Sequence, residues 1–255
     1  MRSDERAVSE VLGYVLAFSL VITTVGVVTV AGFTELQDTR DTEQINNAER
    51  AFDLLATNMN DIAKRGAPSR STEMRLAEAQ LDISNPITIG IEVNGTTAAD
   101  NFTNSYELYP ITYRASNSDQ TVVYSAGTIF RSQDDGANGI AIQKPSLVVQ
   151  DDRFIFPIYQ TRSRGTQSIG GGTARIRGTD AGTVLIVSDT SSRYSNISLN
   201  VTSPRSGLWL EMLNDYDSFD ECGTVTGSSN EIYCRMEDPS RVHISLIRVD
   251  VEVSP

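Results

Sequence analysis

Residues 11–33 read VLGYVLAFSLVITTVGVVTVAGF, and the absence of charge over these 23 residues decides how the rest of the chain is organised. At about 1.5 Å of rise per residue, a helix of this length spans roughly 34 Å, against a bilayer hydrocarbon core of about 30 Å. A secretory signal has a shorter apolar region followed by a small-residue cleavage site. This run is longer and ends without a clear site of that kind. It therefore predicts a single membrane-spanning helix, with membrane lipid as its first partner. Arg2 and Arg6 precede it, whereas Glu35, Asp38 and Asp41 follow it. The positive-inside rule then places the N-terminus in the cytoplasm and the C-terminal bulk outside the cell.

Working outward, residues 34–44 are polar apart from Leu36 and contain neither Pro nor Gly. Next, Ile45, Ala48, Phe52, Leu55, Met59 and Ile62 recur every three or four positions, one apolar stripe on a 3.6-period helix. Glu43, Asn47, Arg50, Asp53, Asn58 and Asp61 occupy the opposite face. The stripe is too short for a coiled coil and is expected to pack onto the following domain. Arg65-Gly66-Ala67-Pro68 closes the helix, Gly as its C-terminal cap and Pro as a block to continuation.

From about Ser71 the apolar period falls to two. Ala77, Ala79, Leu81 and Ile83 alternate with polar residues, Asn85-Pro86 interrupts, and Ile87, Ile89, Ile91 and Val93 alternate up to the turn Asn94-Gly95. This is a hairpin pattern with one buried face. Further strands are expected at 106–113, 121–131, 146–150, 153–159, 173–177, 183–188, 195–202, 207–213, 231–236 and 241–253, with Arg162–Gly172 as the most loop-like segment. In the last strand Val242, Ile244 and Leu246 lie on one phase and Ile247, Val249, Val251 and Val253 on the other, which predicts a bulge or a crossing between sheets. The fold class read from these patterns is α+β: a long N-terminal transmembrane and stalk helix, then a mainly antiparallel, β-sandwich-like head. The boundaries are a leader at 1–7, the membrane helix at 8–33, the stalk at 34–66 and the head at 71–255.

The 255 residues carry 33 Asp and Glu against 21 Lys and Arg, a formal net charge of −12, and only Lys64 and Lys144 are lysines. Such a surface works against binding nucleic acid, which is excluded as a partner. A dense acidic surface with few lysines suits a high-salt environment, where screening makes it tolerable. Cys222 and Cys234, the two cysteines, flank a turn-rich stretch. An oxidising, extracellular location fits a disulfide between them. With His243 as the one histidine, a zinc site is not expected.

The junction Arg6-Ala7-Val8-Ser9-Glu10-Val11-Leu12-Gly13 resembles the start of archaeal type IV pilin-like proteins, especially haloarchaeal ones. The resemblance covers residues 6–35. It implies that a prepilin peptidase cuts on the cytoplasmic side, with Arg6 and Ala7 the last leader residues and Val8 the first mature one. It also implies that Glu10, at the edge of the apolar run, pairs with the new Val8 amine of a neighbouring pilin-like subunit. A carboxylate at that depth needs a partner, which the headgroup region also supplies. Gly13, Gly26 and Gly32, with Ser19, Thr23 and Thr24, give small surfaces on which membrane helices approach closely.

Four sequons for N-glycosylation begin at Asn94, Asn101, Asn196 and Asn200. Ile197, Leu199 and Val201 are read as inward, which puts Asn196 and Asn200 on the outward face of one strand. Asp134, Asp135 and Asn138, and separately Asp215, Asp217, Asp220 and Glu221, form oxygen-rich clusters without the spacing of an EF-hand, and are read as solvated loops. Gly170-Gly171-Gly172 lacks the lysine of a phosphate loop, and His243 is accompanied by no nucleophile elbow. No cofactor, metal site or catalytic set is therefore expected. The reading is a non-enzymatic, pilin-like surface subunit of structural or adhesive role. Its alternative is a solitary anchored binding protein that does not polymerise, and behind that an anchored extracellular hydrolase.

Overall fold

The computed structural model describes residues 4–116, 118–133, 138–190 and 194–255, with side chains throughout except at 4–10 and 38. Helix α1 runs Asp4–Arg65. Strands β1 (Ser69–Arg75), β2 (Ala79–Asp82), β3 (Ile87–Gly95), β4 (Phe102–Leu108), β5 (Ile111–Ala115) and β6 (Gln120–Ser125) follow. After them come β7 (Thr128–Gln133), β8 (Asn138–Gln143), β9 (Val148–Gln150), β10 (Arg153–Arg164), β11 (Ser168–Gly170) and β12 (Thr173–Asp189). The chain ends with β13 (Tyr194–Thr202), helix α2 (Ser206–Asn214), β14 (Glu221–Thr224), β15 (Glu231–Glu237) and β16 (Arg241–Ser254). The fold class is α+β: one long apolar N-terminal helix, then a mostly antiparallel β-rich domain. The chain divides into two compact units, one ending at Gln44 and one running Ile45–Pro255.

Within the second unit, the described strands form three sheets, ordered β1-β12-β16-β10-β9, β11-β2-β5-β6-β7-β8 and β14-β15-β13-β3-β4. Pairing is antiparallel except between β10 and β16, which run parallel in unbroken register from Arg153↔Arg241 to Arg164↔Glu252. Both strands change buried face at the same level. Phe154, Phe156 and Ile158 of β10 and Val242, Ile244 and Leu246 of β16 enter one core. Tyr159 of β10 and Ile247, Val249, Val251 and Val253 of β16 enter another. The phase switch in the last strand is therefore neither a bulge in β16 nor a change of sheet. Side chains alternate as usual, and the apolar layer covering them moves from one face to the other. The register shifts fall on the partner β12, at Asp180/Thr183 and Leu185/Val187.

The second core is closed by α1. Ile45, Ala48, Phe52, Leu55, Met59 and Ile62 are all buried there, against Ile176 and Val251 of the first sheet and Tyr113, Tyr124 and Ile129 of the second. Gly178 is what lets the helix approach β12. A Cβ there would lie 3.0 Å from Ile62 Cδ1 and 3.2 Å from Met59 Sδ. Polar contacts hold the helix register: Asn58 Nδ2 donates to Thr72 Oγ1 at 2.8 Å, Tyr159 Oη to Asn60 Oδ1 at 2.8 Å, and Arg131 pairs with Glu49 at 2.9 Å. The helix stops as expected at Gly66, whose φ is +68°, and Ala67 N donates to Asp61 O at 3.2 Å.

Several sequence expectations are corrected. The two alternating runs around Asn85-Pro86 do not pair with each other: β2 belongs to the second sheet, and β3 forms its hairpin with β4 in the third. The segment 106–113 is broken at Tyr109-Pro110, since proline cannot donate to a ladder, and its halves join different sheets. Residues 121–131 are two strands folded back through Ala126 and Gly127, both with positive φ, a turn chemistry hidden inside an apolar run. Residues 207–213 are helical in α2, and the buried Leu208, Trp209, Met212 and Leu213 have helical spacing. Trp209 packs edge-on against Phe130 at 5.2 Å. The loop expected at 162–172 instead carries the end of β10 and the short β11.

Truncating the fully buried Phe52 to Ala removes the widest knob of the helix stripe. It is expected to cost about 3–5 kcal/mol, read from urea unfolding of the detergent-solubilised full chain.

The buried tyrosines set an alkaline limit. Burial raises the phenol pKa of Tyr124 far above its ordinary 10.0, with a smaller push from Tyr159, and burial also raises Tyr113 and Tyr159. The folded state then holds these protons more tightly than the unfolded chain does. Their stabilisation is complete below about pH 10 and is lost as pH climbs beyond it. Loss of β-sheet circular dichroism should therefore coincide with phenolate absorbance above about pH 10, not below it.

Candidate functional site

Two surfaces stand apart from the cores. The first is the apolar part of α1. Every large apolar side chain from Val11 to Phe33 is exposed, from 51% at Val15 to 75% at Tyr14. Removing each from water contributes about 1.5 kcal/mol or more, so their sum is on the order of 20 kcal/mol for a surrounding apolar phase. The hydroxyls of Thr23 and Thr24, and of Thr34 just beyond the stretch, turn back onto the helix's own carbonyls. Thr23 Oγ1 donates to Ser19 O at 2.8 Å, Thr24 Oγ1 to Leu20 O at 2.7 Å and Thr34 Oγ1 to Val30 O at 3.1 Å. Hydrocarbon requires this, because it offers no hydrogen bonds of its own. Around Gly13, Gly26 and Gly32 nothing lies within 4 Å of where a Cβ would stand. Among the described residues, α1 is the one helix long and apolar enough to cross a membrane. Arg6, Ala7, Val8 and Glu10 belong to the first turns of α1, but their side chains lie outside the described residues.

The second surface is the outward face of the third sheet. Along β13, Ile197, Leu199 and Val201 are buried, while Asn196 and Asn200 occupy the opposite, half-buried face. Asn196 sits opposite Asn94 of β3, and Asn200 opposite Gly90 of β3 and Tyr233 of β15. Since Gly90 has no side chain, a trough of about 420 Å³ opens over it, lined by Thr88, Thr103, Ser105, Asn200, Thr202 and Glu231. Asn101 follows a single 3-10 turn, and its Oδ1 accepts from Gly95 N at 2.9 Å. The trough was not found by sequence reasoning. The available signal was Gly90 itself, a glycine at an outward position inside a strongly alternating strand, where glycine marks open space or close approach.

Cys222 and Cys234 are disulfide-bonded across directly paired positions of β14 and β15, 4.1 Å apart at Cα. On that hairpin the Tyr233 hydroxyl donates to Glu221 Oε1 at 2.7 Å, and this bond to a carboxylate raises the phenol pKa. Of the acidic residues nearby, Asp215 pairs with Lys144 at 2.9 Å, and Asp220 Oδ2 accepts from Glu237 N at 2.7 Å. Among the described residues no group of His, Cys, Asp and Glu could hold a metal ion, and Asp134 and Asp135 lie outside those residues. His243 Nδ1 is 3.4 Å from Ser188 Oγ on the first sheet.

These features define an α+β protein with one N-terminal helix able to cross a bilayer and a disulfide-linked β-rich domain. The chain belongs to a family of unknown function (DUF7289), whose match extends over residues 6–252 and so takes in the apolar helix and nearly all of the β-rich domain. No curated protein and no solved structure matches it.

Removing the disulfide, by reduction or by Cys222→Ser with Cys234→Ser, frees a loop of sequence separation 12. The expected loss is about 2–3 kcal/mol, read as a lower urea midpoint at unchanged slope.

Proposed function

We propose that this chain is a membrane-anchored, pilin-like surface protein, with the β-rich domain outside the cell and a structural or adhesive role that needs no catalysis. The observation that carries the reading is the exposed, charge-free Val11–Phe33 face of α1. An apolar surface of that extent calls for lipid or for the equivalent helices of other subunits, and its glycines suit close helix contact. The arginines at Arg2 and Arg6 favour a cytoplasmic leader. The cystine fits an oxidising compartment. The resemblance of residues 6–35 to archaeal, especially haloarchaeal, pilin-like proteins adds two specific roles: prepilin peptidase cleaves between Ala7 and Val8, and Glu10 pairs with the Val8 amine of a neighbouring subunit. The acidic, lysine-poor composition suits a surface that faces high salt.

The test is mass spectrometry of the N-terminal peptide, from protein recovered in the carbonate-washed membrane fraction of the cells that encode it. The expected peptide begins at Val8. A peptide retaining Met1 or Arg2 overturns pilin-type processing and leaves a solitary signal-anchored protein. Recovery in the carbonate supernatant overturns the anchor itself.

A further inference from the structure

The four sequons are equivalent as motifs, but the fold treats their asparagines differently. Asn94 Nδ2 donates to Glu92 Oε1 at 3.2 Å and to Asn196 Oδ1 at 2.9 Å, so Asn94 and Asn196 are tied to each other across β3 and β13. Asn101 Oδ1 holds Gly95 N. Asn200 is the sequon residue whose amide makes no hydrogen bond among the described residues. It also stands beside the trough: a Cβ built on Gly90 would lie 3.3 Å from Asn200 Cβ and 3.7 Å from Asn200 Nδ2. The nitrogen that a sugar would be joined to is therefore poised above the glycine floor. Thr202, which supplies the hydroxyl two residues on, is exposed on the same face and lines the same trough.

We propose that Asn200 is the principal N-glycosylated residue and that the trough over Gly90 seats the first sugar of its glycan. In the transfer, a bond forms between Asn200 Nδ2 and the anomeric carbon of a sugar carried on a lipid phosphate. That carbon's bond to the phosphate oxygen breaks, the phosphate leaves with the electron pair, and one amide proton is lost to base. Asn94 must first withdraw its Nδ2 from Glu92 and Asn196, and Asn196 must give up the bond that its Oδ1 accepts, which disfavours both. Once attached, the sugar meets the hydroxyls of Thr88, Thr103, Ser105 and Thr202 and the carboxylate of Glu231. This is a set of neutral donors and acceptors with one acidic acceptor, matched to a polyhydroxylated ring. Being tethered, the sugar is held at high effective concentration over the trough, so contacts too weak to hold a free sugar suffice. The proposal rests on the extracellular placement of the β-rich domain.

Intact-glycopeptide mass spectrometry on the full chain from the cells that encode it tests the first half, combined with shaving of intact cells by added protease. The expected result is a modified Asn200 peptide, at higher occupancy than the Asn94, Asn101 and Asn196 peptides, among fragments released from the cell surface. A bare Asn200 with another sequon modified, or four bare sequons in surface-released fragments, overturns the proposal while the extracellular reading stands. No release of β-domain peptides from intact cells overturns that reading, and the proposal with it.

The seating is tested by a double-mutant cycle in melting temperature. Asn200→Gln, which removes the sugar, should lower the melting temperature of the wild-type protein. In a Gly90→Val background, where the trough is filled and mass spectrometry shows Asn200 still glycosylated, it should lower it little or not at all. Gly90→Ala, which fills the trough less, provides a milder background should the valine variant fail to fold. Equal losses in the wild-type and filled backgrounds overturn the seating.

Discussion

The parallel, unbroken pairing of β10 with β16 is the constraint on which the rest of the β-rich domain depends. Two central strands locked in register over twelve residue pairs must invert their buried face together, and they do so where Ile158 meets Leu246 and Tyr159 meets Ile247. Below that level the apolar layer is built from the third sheet and α2. Above it, the layer is the stripe of α1 with the second sheet. One sheet thus serves two cores, and neither can be removed without exposing half of the same two strands. The α1 stripe is therefore an integral part of the second core of this domain.

This arrangement divides the labour along α1 by chemistry alone. From Val11 to Phe33 its large apolar side chains are exposed, and from Ile45 the stripe Ile45, Ala48, Phe52, Leu55, Met59 and Ile62 is buried under two sheets. The polar stretch between them needs neither lipid nor core. On the third sheet the inward side chains of β3, β13 and β15 are committed to the first core, so whatever chemistry this sheet offers lies on its outward face, among threonines, asparagines and glutamates. The half-buried glycine there, Gly90, gives that face a concavity. The Cys222–Cys234 cystine joins β14 to β15 at the edge of the same sheet.

Much of the architecture was legible in the residues. The period change near Ser71, the six-residue stripe of α1 and the Gly66 stop all follow from local rules, because side-chain periodicity and backbone preference act within a few residues. The misread elements were those where local signals compete. Leu208 to Leu213 is short and apolar, and at that length helix and strand patterns look alike until the packing around Trp209 chooses. The Ala126-Gly127 turn is buried, so it carries none of the polar residues that usually announce a turn. The separation of β2 from β3, and of β4 from β5, into different sheets has no local signature, since Asn85-Pro86 and Tyr109-Pro110 mark a break without saying where the next strand goes.

By itself the sequence determined the charge-free span of Val11–Phe33, the acidic composition, the inward and outward phases of strands such as β3 and β13 and the identity of the sequons, all of which depend on residue type and spacing. Only the tertiary structure decided that two parallel strands share two cores, and that Asn200 alone of the sequon asparagines has an amide without a hydrogen bond among the described residues, beside an open trough. Those outcomes depend on which residues far apart in the chain become neighbours. That is set by long-range packing and register, which no local pattern encodes.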